Sequence, residues 1–233
     1  MNKKVFGTLI LGLSVGAVLL PTTAKAAERE TDTGVGIGFS TDNPSTIVPG
    51  PYDEALSLMA KPTAFKFGTE NEASALSSVY YQQLAEKQYI AVYEDREADQ
   101  QTNWELSAKM SDLVSTTDAS KKLLSTLTLN SANISTFDLD SQRDKETGKL
   151  PSTISTLPDL TKYAEDKVTG FTKVSLEAGA SGSQNIMVGK KPGSKGFAAE
   201  IRNVQLAVTS KQKDKIAGQQ FTGTVSWSLA DVE

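Results

Sequence analysis

The feature that most constrains the fold is an alternating apolar segment near the end of the chain, residues 220–229. Apolar side chains recur at every second position through Val225, Trp227 and Leu229, and Ser or Thr occupies the positions between them. A period of two residues is typical of a β-strand with one buried face and one wetted face. Residues 220–229 are therefore predicted to form a strand that packs against a core.

A second strand with the same Trp-x-Leu triplet lies far upstream, at residues 103–110. The chain has only two Trp residues, and each is followed two positions later by Leu. An indole face could stack on a sugar ring, but large aromatic side chains on a patterned apolar face usually fill a core. We therefore interpret the repeated triplet primarily as a signature of the fold and favour this over a direct contact with a ligand. Its residues are Trp104, Leu106, Trp227 and Leu229.

Strand patterns recur along the rest of the chain, separated by turns rich in Gly, Pro, Ser and Lys. They lie at residues 56–59, 65–67, 89–93, 123–129, 171–176, 185–188 and 201–208. With the two Trp strands, they predict a mainly β domain, a sandwich or barrel of about 8–12 strands. Residues 89–93 and 103–110 are expected to pair as an antiparallel hairpin across a charged loop.

One or two short helical insertions are also expected in this β domain. Residues 70–87 carry apolar side chains at spacings of three and four, without Gly or Pro, which predicts a helix. Residues 130–168 are polar and poorly periodic, which predicts an insertion or a long surface connection with a candidate short helix at 157–168.

The first 27 residues have the organisation of a secretory signal peptide. Lys3 and Lys4 precede an apolar run over residues 5–20, and small residues surround Ala26. We expect cleavage near Ala26 and export of the remaining chain. No later segment approaches the roughly 20 apolar residues of a membrane-spanning helix, so no span is expected in the mature protein.

The mature chain is predicted to have two parts. Residues 28–51, rich in Thr, Asp, Gly and Pro, are expected to form a flexible N-terminal arm, in which residues 34–39 could add a short strand that its glycines weaken. Residues 52–233 are expected to form the β domain, with the insertions at 70–87 and 130–168 inside it. About 200 residues is an ordinary size for a single β domain.

Charge and residue usage exclude several functions. The net charge of the whole chain is −4, and an acidic surface repels nucleic acid at long range. There is no Cys, so no disulfide forms, and no His, the commonest general base and a common metal ligand. We expect neither enzymatic activity nor a cofactor. A locally basic C-terminal third could favour anionic polymers, although a solvated rim is the simpler interpretation, and its lysines are Lys190, Lys191, Lys195, Lys211, Lys213 and Lys215.

Two groups of carboxylates are candidate sites. Glycoside hydrolysis needs two carboxyl groups and no His, and the loop after residue 93 offers Glu94, Asp95, Glu97 and Asp99. Ordinary charged loop residues are the simpler interpretation. A calcium loop would need Gly at its sixth position and Glu at its twelfth. Arg143 and Lys149 stand there instead, so a solvated acidic loop is favoured for Asp138, Asp140, Asp144 and Glu146.

Three blocks of the sequence resemble the WxL-domain surface proteins of Gram-positive bacteria, in particular their small members that consist of little more than the domain. Residues 56–68 are similar to the opening strand of that family and its aromatic-x-Phe-Gly turn. Residues 89–110, with Asp95 and Arg96 ahead of Trp104, resemble the proximal motif, and residues 204–229 resemble the distal motif.

The resemblance implies a secreted, cell-surface protein that attaches non-covalently to the cell wall through peptidoglycan. It also implies assembly with other surface proteins of the same kind of gene cluster, including a membrane-anchored partner. Two alternatives remain open. One is an adhesive or structural subunit whose main partner is a host or bacterial protein, with edge strands available for pairing. The other is a wall hydrolase.

Overall fold

The computed structural model describes the chain over residues 29–37, 55–68, 71, 78–82, 87–150, 157–209 and 218–232. Almost all regular structure in these residues is β-strand, with a single 3-10 turn at Asp140–Gln142. The predicted signal peptide, residues 1–27, and residues 38–51 of the predicted arm lie outside the described residues. No helix within the described residues has the length and hydropathy needed to cross a membrane.

The strands form two sheets, here named sheet A and sheet B. Sheet A has the order β11-β13-β6-β15-β1-β3, and β7 pairs with both β15 and β8 at one end. Its strands are β1 (Arg29–Ile37), β3 (Ala64–Lys66), β6 (Asn103–Met110), β7 (Leu113–Ser115), β8 (Lys122–Leu123), β11 (Val168–Gly170), β13 (Gln184–Lys190) and β15 (Phe221–Val232).

Sheet B has the order β10-β9-β14-β5-β2, with β12 paired to β9 and β4 paired to β14. Its strands are β2 (Leu56–Ala60), β4 (Ser78–Tyr81), β5 (Gln88–Glu94), β9 (Ser125–Phe137), β10 (Thr161–Lys162), β12 (Lys173–Glu177) and β14 (Lys195–Val208). Pairing between the described strands is antiparallel, except that β1 runs parallel to β3.

The main core lies between the two sheets. Buried apolar side chains of β6 and β15 in sheet A contact those of β9 and β14 in sheet B within one continuous cluster. The ring centroids of Trp104 and Phe197, one from each sheet, are 6.3 Å apart. The predicted mainly β class is therefore confirmed, and two facing antiparallel sheets fit a β-sandwich.

A second, smaller core lies on the outer face of sheet B. It combines buried side chains such as Ala91, Phe137 and Ala198 with half-buried leucines of the connection after β9, among them Leu157 and Leu160. As a result, β5 is buried on both faces. A strand covered on both faces has an uninterrupted apolar sequence, which explains the run at residues 89–93.

The helix predicted over residues 70–87 is wrong where the structure describes it. Residues 78–81 form β4, which pairs with the end of β14 from Gln205 to Val208. The segment Val79-Tyr80-Tyr81 favours a strand once a partner strand is available, and tertiary pairing outweighs helical spacing there. Residues 72–77 and 83–86 lie outside the described residues.

The insertion predicted over residues 130–168 is also wrong in part, because residues 130–137 complete β9, a central strand of sheet B. The register of β9 against β14 shifts between Ala199 and Asn203, and such bulges interrupt the two-residue period that reveals a strand. The candidate helix at 157–168 is absent from the described residues: this stretch contains β10 and enters β11.

Two further expectations change. Strands β5 and β6 do not pair as a hairpin: β5 lies in sheet B and β6 in sheet A. Both have an apolar face directed at the same core, so their patterns fit either sheet, and the intervening loop is long enough to cross between sheets. Residues 29–37, predicted as part of a flexible arm, form β1 between β15 and β3.

Candidate functional site

Trp227 of the distal motif lies in the core and joins three parts of the chain. Its indole is fully buried, and Nε1 donates a hydrogen bond of 2.7 Å to Oγ1 of Thr33 in β1. The Thr33 hydroxyl in turn donates to the carbonyl oxygen of Pro62, in the turn between β2 and β3. The distal motif therefore connects the first and last described strands to that turn.

Trp104 of the proximal motif packs against the backbone of the neighbouring strand. Its indole is fully buried and lies over Gly189 of β13. A Cβ atom at position 189 would come within 2.2 Å of the ring, so only glycine fits there. Unlike Trp227, the Nε1 of Trp104 has no hydrogen-bond partner within the described residues. Its contribution is therefore packing.

The two triplets lie side by side on β6 and β15. Leu106 and Leu229 are directly opposite each other in the antiparallel register, and both side chains are buried. All four residues of the sequence signature thus belong to one core, with the indole faces of Trp104 and Trp227 closed to a ligand at the surface. This is the placement that the apolar alternation predicts.

The loop after β5 carries a buried ion network that reaches the distal motif. Arg96 makes a two-pronged contact with Glu94, with Nε to Oε1 at 2.8 Å and Nη2 to Oε2 at 2.6 Å. Its Nη1 donates to Oδ1 of Asp231 at 2.6 Å, and Thr102 donates to the same oxygen. The hydrogen bond to Glu94 raises the pKa of Arg96, against the opposing effect of burial. The network holds the end of β15 against the end of β5.

A second ion network closes the loop that follows β9. Arg143 binds Asp95, donates through Nε to Oδ1 of Asp140 at 2.9 Å, and donates through Nη1 to the carbonyl oxygen of Gly148. Asp144 accepts hydrogen bonds from the backbone of its own turn, which lower its pKa. The described residues contain no group of three or more acidic side chains arranged to hold a metal ion.

The four carboxylates that are candidates for a catalytic pair are separated in the structure. Glu94 is fully buried against Arg96, while Asp95 turns to Arg143 in the second network. Glu97 and Asp99 are exposed in the loop. Of the basic residues, Lys190 and Lys191 are exposed at the turn between β13 and β14, whereas 211–215 lie outside the described residues.

The described surface has clefts, and two of them concern the outer face of sheet B and the ends of the sheets. The larger, here called the sheet B cleft, has a volume of about 300 Å³ and lies beside the second core. The residues that define it are Tyr89, Asn133, Leu160, Lys162, Glu200 and Arg202. The smaller has a volume of about 240 Å³ and lies between the ends of β6, β12 and β13.

A β-sandwich with paired, buried Trp-x-Leu strands at its centre defines a class of surface domain, and the comparison with protein families agrees. The family model described as "WxL domain surface cell wall-binding" matches residues 32–232. The chain belongs to this family, and it is a cell-surface protein that binds the cell wall. Comparison with curated proteins finds no match, and comparison with solved structures finds none either.

Sequence reasoning missed several residues on which this arrangement depends. Thr33 lies in a Gly-rich segment with weak strand signal, and Asp231 follows the apolar part of β15. Gly189 stands within the Val188-Gly189-Lys190 sequence, where a glycine inside a strand pattern signals close approach by another group. That signal was available for Gly189. None was available for the partners that Thr33 and Asp231 find across the fold.

Proposed function

We propose that the protein is a non-enzymatic surface protein of a Gram-positive cell wall and that it attaches non-covalently to peptidoglycan. The observation that carries the proposal is the WxL family match over residues 32–232, which establishes wall binding in general terms. Peptidoglycan is the specific polymer proposed. The four signature residues stabilise the domain, and the wall contacts its outer surface.

The engagement of the loop carboxylates supports a non-enzymatic role. A glycosidase needs one carboxyl group to donate a proton and another to act as nucleophile or base at a defined separation. Glu94 and Asp95 are instead occupied by Arg96 and Arg143 in two different networks. Their contacts are those of residues that hold the loops of the sandwich.

Export and assembly complete the proposal. Residues 1–27 direct export as a signal peptide, and the mature protein assembles with other surface proteins, including a membrane-anchored partner. Among the described strands, β2 lies at one end of sheet B and β3 lies at one end of sheet A, and end strands can accept a strand from another chain. The same edges favour the alternative function, an adhesive or structural subunit whose main partner is a protein.

Co-sedimentation with isolated sacculi tests the proposed function. The purified mature protein is expected to pellet with peptidoglycan sacculi, both before and after the teichoic polymers are removed. Insoluble cellulose provides the control, because it offers a polysaccharide without peptide or N-acetyl groups. Failure to pellet with either sacculus preparation would overturn the proposal. Co-purification with surface proteins in that case would favour the adhesive alternative.

A further inference from the structure

The sheet B cleft lies where the two central strands of sheet B lose their regular register. Ala199 pairs with Ile134 and Ile201 pairs with Ser131, which leaves two residues of β9 opposite one residue of β14. Both residues of this bulge, Ala132 and Asn133, line the cleft. Bulges of this kind redirect side chains and recur next to functional sites. The irregularity gives the outer face of sheet B its concave shape at this point.

One side of the cleft is apolar because two of its residues also belong to the second core. Tyr89 and Leu160 both pack against that core, and both line the cleft. Leu150, Leu157 and Leu160 of the connection after β9 pack against that core, so the cleft borders the part of the outer face that they cover. A half-buried Tyr ring at such an edge presents an amphipathic surface to a bound sugar or peptide.

The other side carries charged groups that the protein itself does not use. The side chains of Asn133, Lys162, Glu200 and Arg202 make no hydrogen bond or ion pair within the described part of the chain. Arg96 and Arg143, by contrast, each bind two carboxylates. Two cations, one carboxylate and one amide therefore line a small concavity, and no described residue occupies their hydrogen-bonding groups.

This set of groups defines the chemistry of an occupant. Arg202 and Lys162 suit a carboxylate, Glu200 suits an amide N–H or an ammonium group, and Asn133 suits a hydroxyl or an N-acetyl group. A volume of about 300 Å³ is at the lower end of the range of ligand sites, roughly 300–1,000 Å³. The cleft therefore accommodates a short unit of a polymer.

We propose that the sheet B cleft binds a muropeptide unit, an N-acetylated amino sugar together with the carboxylate-bearing start of its peptide. The inference rests on the proposed function, because it locates the peptidoglycan contact on the surface. A neutral glycan would leave Arg202 and Lys162 without a partner, and a polyphosphate chain would be repelled by Glu200. The combination of both charge signs with an aromatic edge favours the muropeptide.

Calorimetric titration with soluble disaccharide-peptide fragments tests the inference. The double variant Lys162→Gln/Arg202→Gln is expected to bind at least about tenfold more weakly, because it loses two charged hydrogen bonds. The double variant Lys145→Gln/Lys173→Gln is the matched control. It removes the same charge from exposed lysines outside the cleft and is expected to bind like the wild type. Thermal melting confirms that both variants fold.

The outcomes separate this inference from the proposed function. If the wild type pellets with sacculi but the cleft variant binds fragments as tightly as the wild type, the muropeptide site is not in the sheet B cleft. The proposed wall binding is then unaffected. The muropeptide proposal is also wrong if the protein binds only teichoic polymer. It is wrong as well if N-acetylglucosamine oligomers without peptide bind as tightly as the disaccharide-peptide fragments and lose the same affinity in the cleft variant. If the wild type does not pellet at all, the proposed function itself fails.

Discussion

Replacement of Trp227 by Ala is expected to lower the free energy of unfolding by about 3–5 kcal/mol. The indole is fully buried between the two sheets, so its removal leaves a large cavity in the main core. It also removes the hydrogen bond to Thr33, which joins β1 to β15. Equilibrium denaturation, followed by far-UV circular dichroism, measures the change. Loss of wall binding by this variant should parallel the loss of folded protein.

Trp227→Phe is the matched control for this prediction. It retains most of the apolar volume and loses the N–H donor, so the cost should be smaller than that of Trp227→Ala. Thr33→Val, which removes the hydrogen-bond acceptor, should cost about 1–3 kcal/mol because it leaves the buried Nε1 unpaired. A loss below about 1 kcal/mol for Trp227→Ala would contradict the core assignment, since surface substitutions have effects of that size.

Replacement of Arg96 by Met is expected to cost about 3–5 kcal/mol, because it leaves the buried carboxylate of Glu94 without its partner. The Glu94 side chain is fully buried and that of Arg96 is 10% exposed, so water cannot replace the lost contacts. Met retains most of the apolar stem of Arg. The same substitution removes the contact of Arg96 with Asp231, so the end of β15 should lose protection in hydrogen exchange.

An exposed ion pair provides the comparison for Arg96. Lys122 and Asp112 have side-chain exposures of 55% and 37%, and Lys122→Met should change stability by no more than about 1 kcal/mol. The double variant Arg96→Met/Glu94→Gln should recover part of the loss, because no charge then remains buried. If Arg96→Met and Lys122→Met had equal effects, the network around Glu94 would have no special role.

The sequence predicts the strands in which one face is buried and the other is not. β6 and β15 alternate cleanly, so their inward faces follow from the residues alone, as do the bounds of β6, whereas β15 extends three residues beyond the predicted 220–229. β5 was predicted for a different reason, because a strand covered on both faces is uniformly apolar. In these elements, local pattern and tertiary environment agree.

The remaining elements depend on partners that the local sequence does not show. β4 has helical spacing but pairs with β14, and the second half of β9 loses its period at the bulge. β1 is rich in glycine and becomes a strand because it lies between two others. In each case long-range pairing decides the conformation.

The candidate site cannot be predicted from the sequence, because it also depends on long-range strand pairing. Tyr89, Asn133 and Lys162 lie on three different strands, and only the sheet order brings them beside Glu200 and Arg202. In the sequence, Asn133 and Lys162 are ordinary polar residues, and Tyr89 belongs to a predicted strand. The Trp-x-Leu triplets, in contrast, repeat a visible pattern, and they identify the family without identifying the surface that contacts the wall.

Intrinsic fluorescence tests most directly the claim that this wall-binding domain uses its two Trp residues as core and not as contact. The chain has no other Trp, so the emission reports Trp104 and Trp227 alone. A blue-shifted maximum and weak quenching by acrylamide are expected, both unchanged when soluble muropeptide fragments saturate the protein. A red-shifted, readily quenched emission that the fragments protect would place the indoles at the wall and contradict the account.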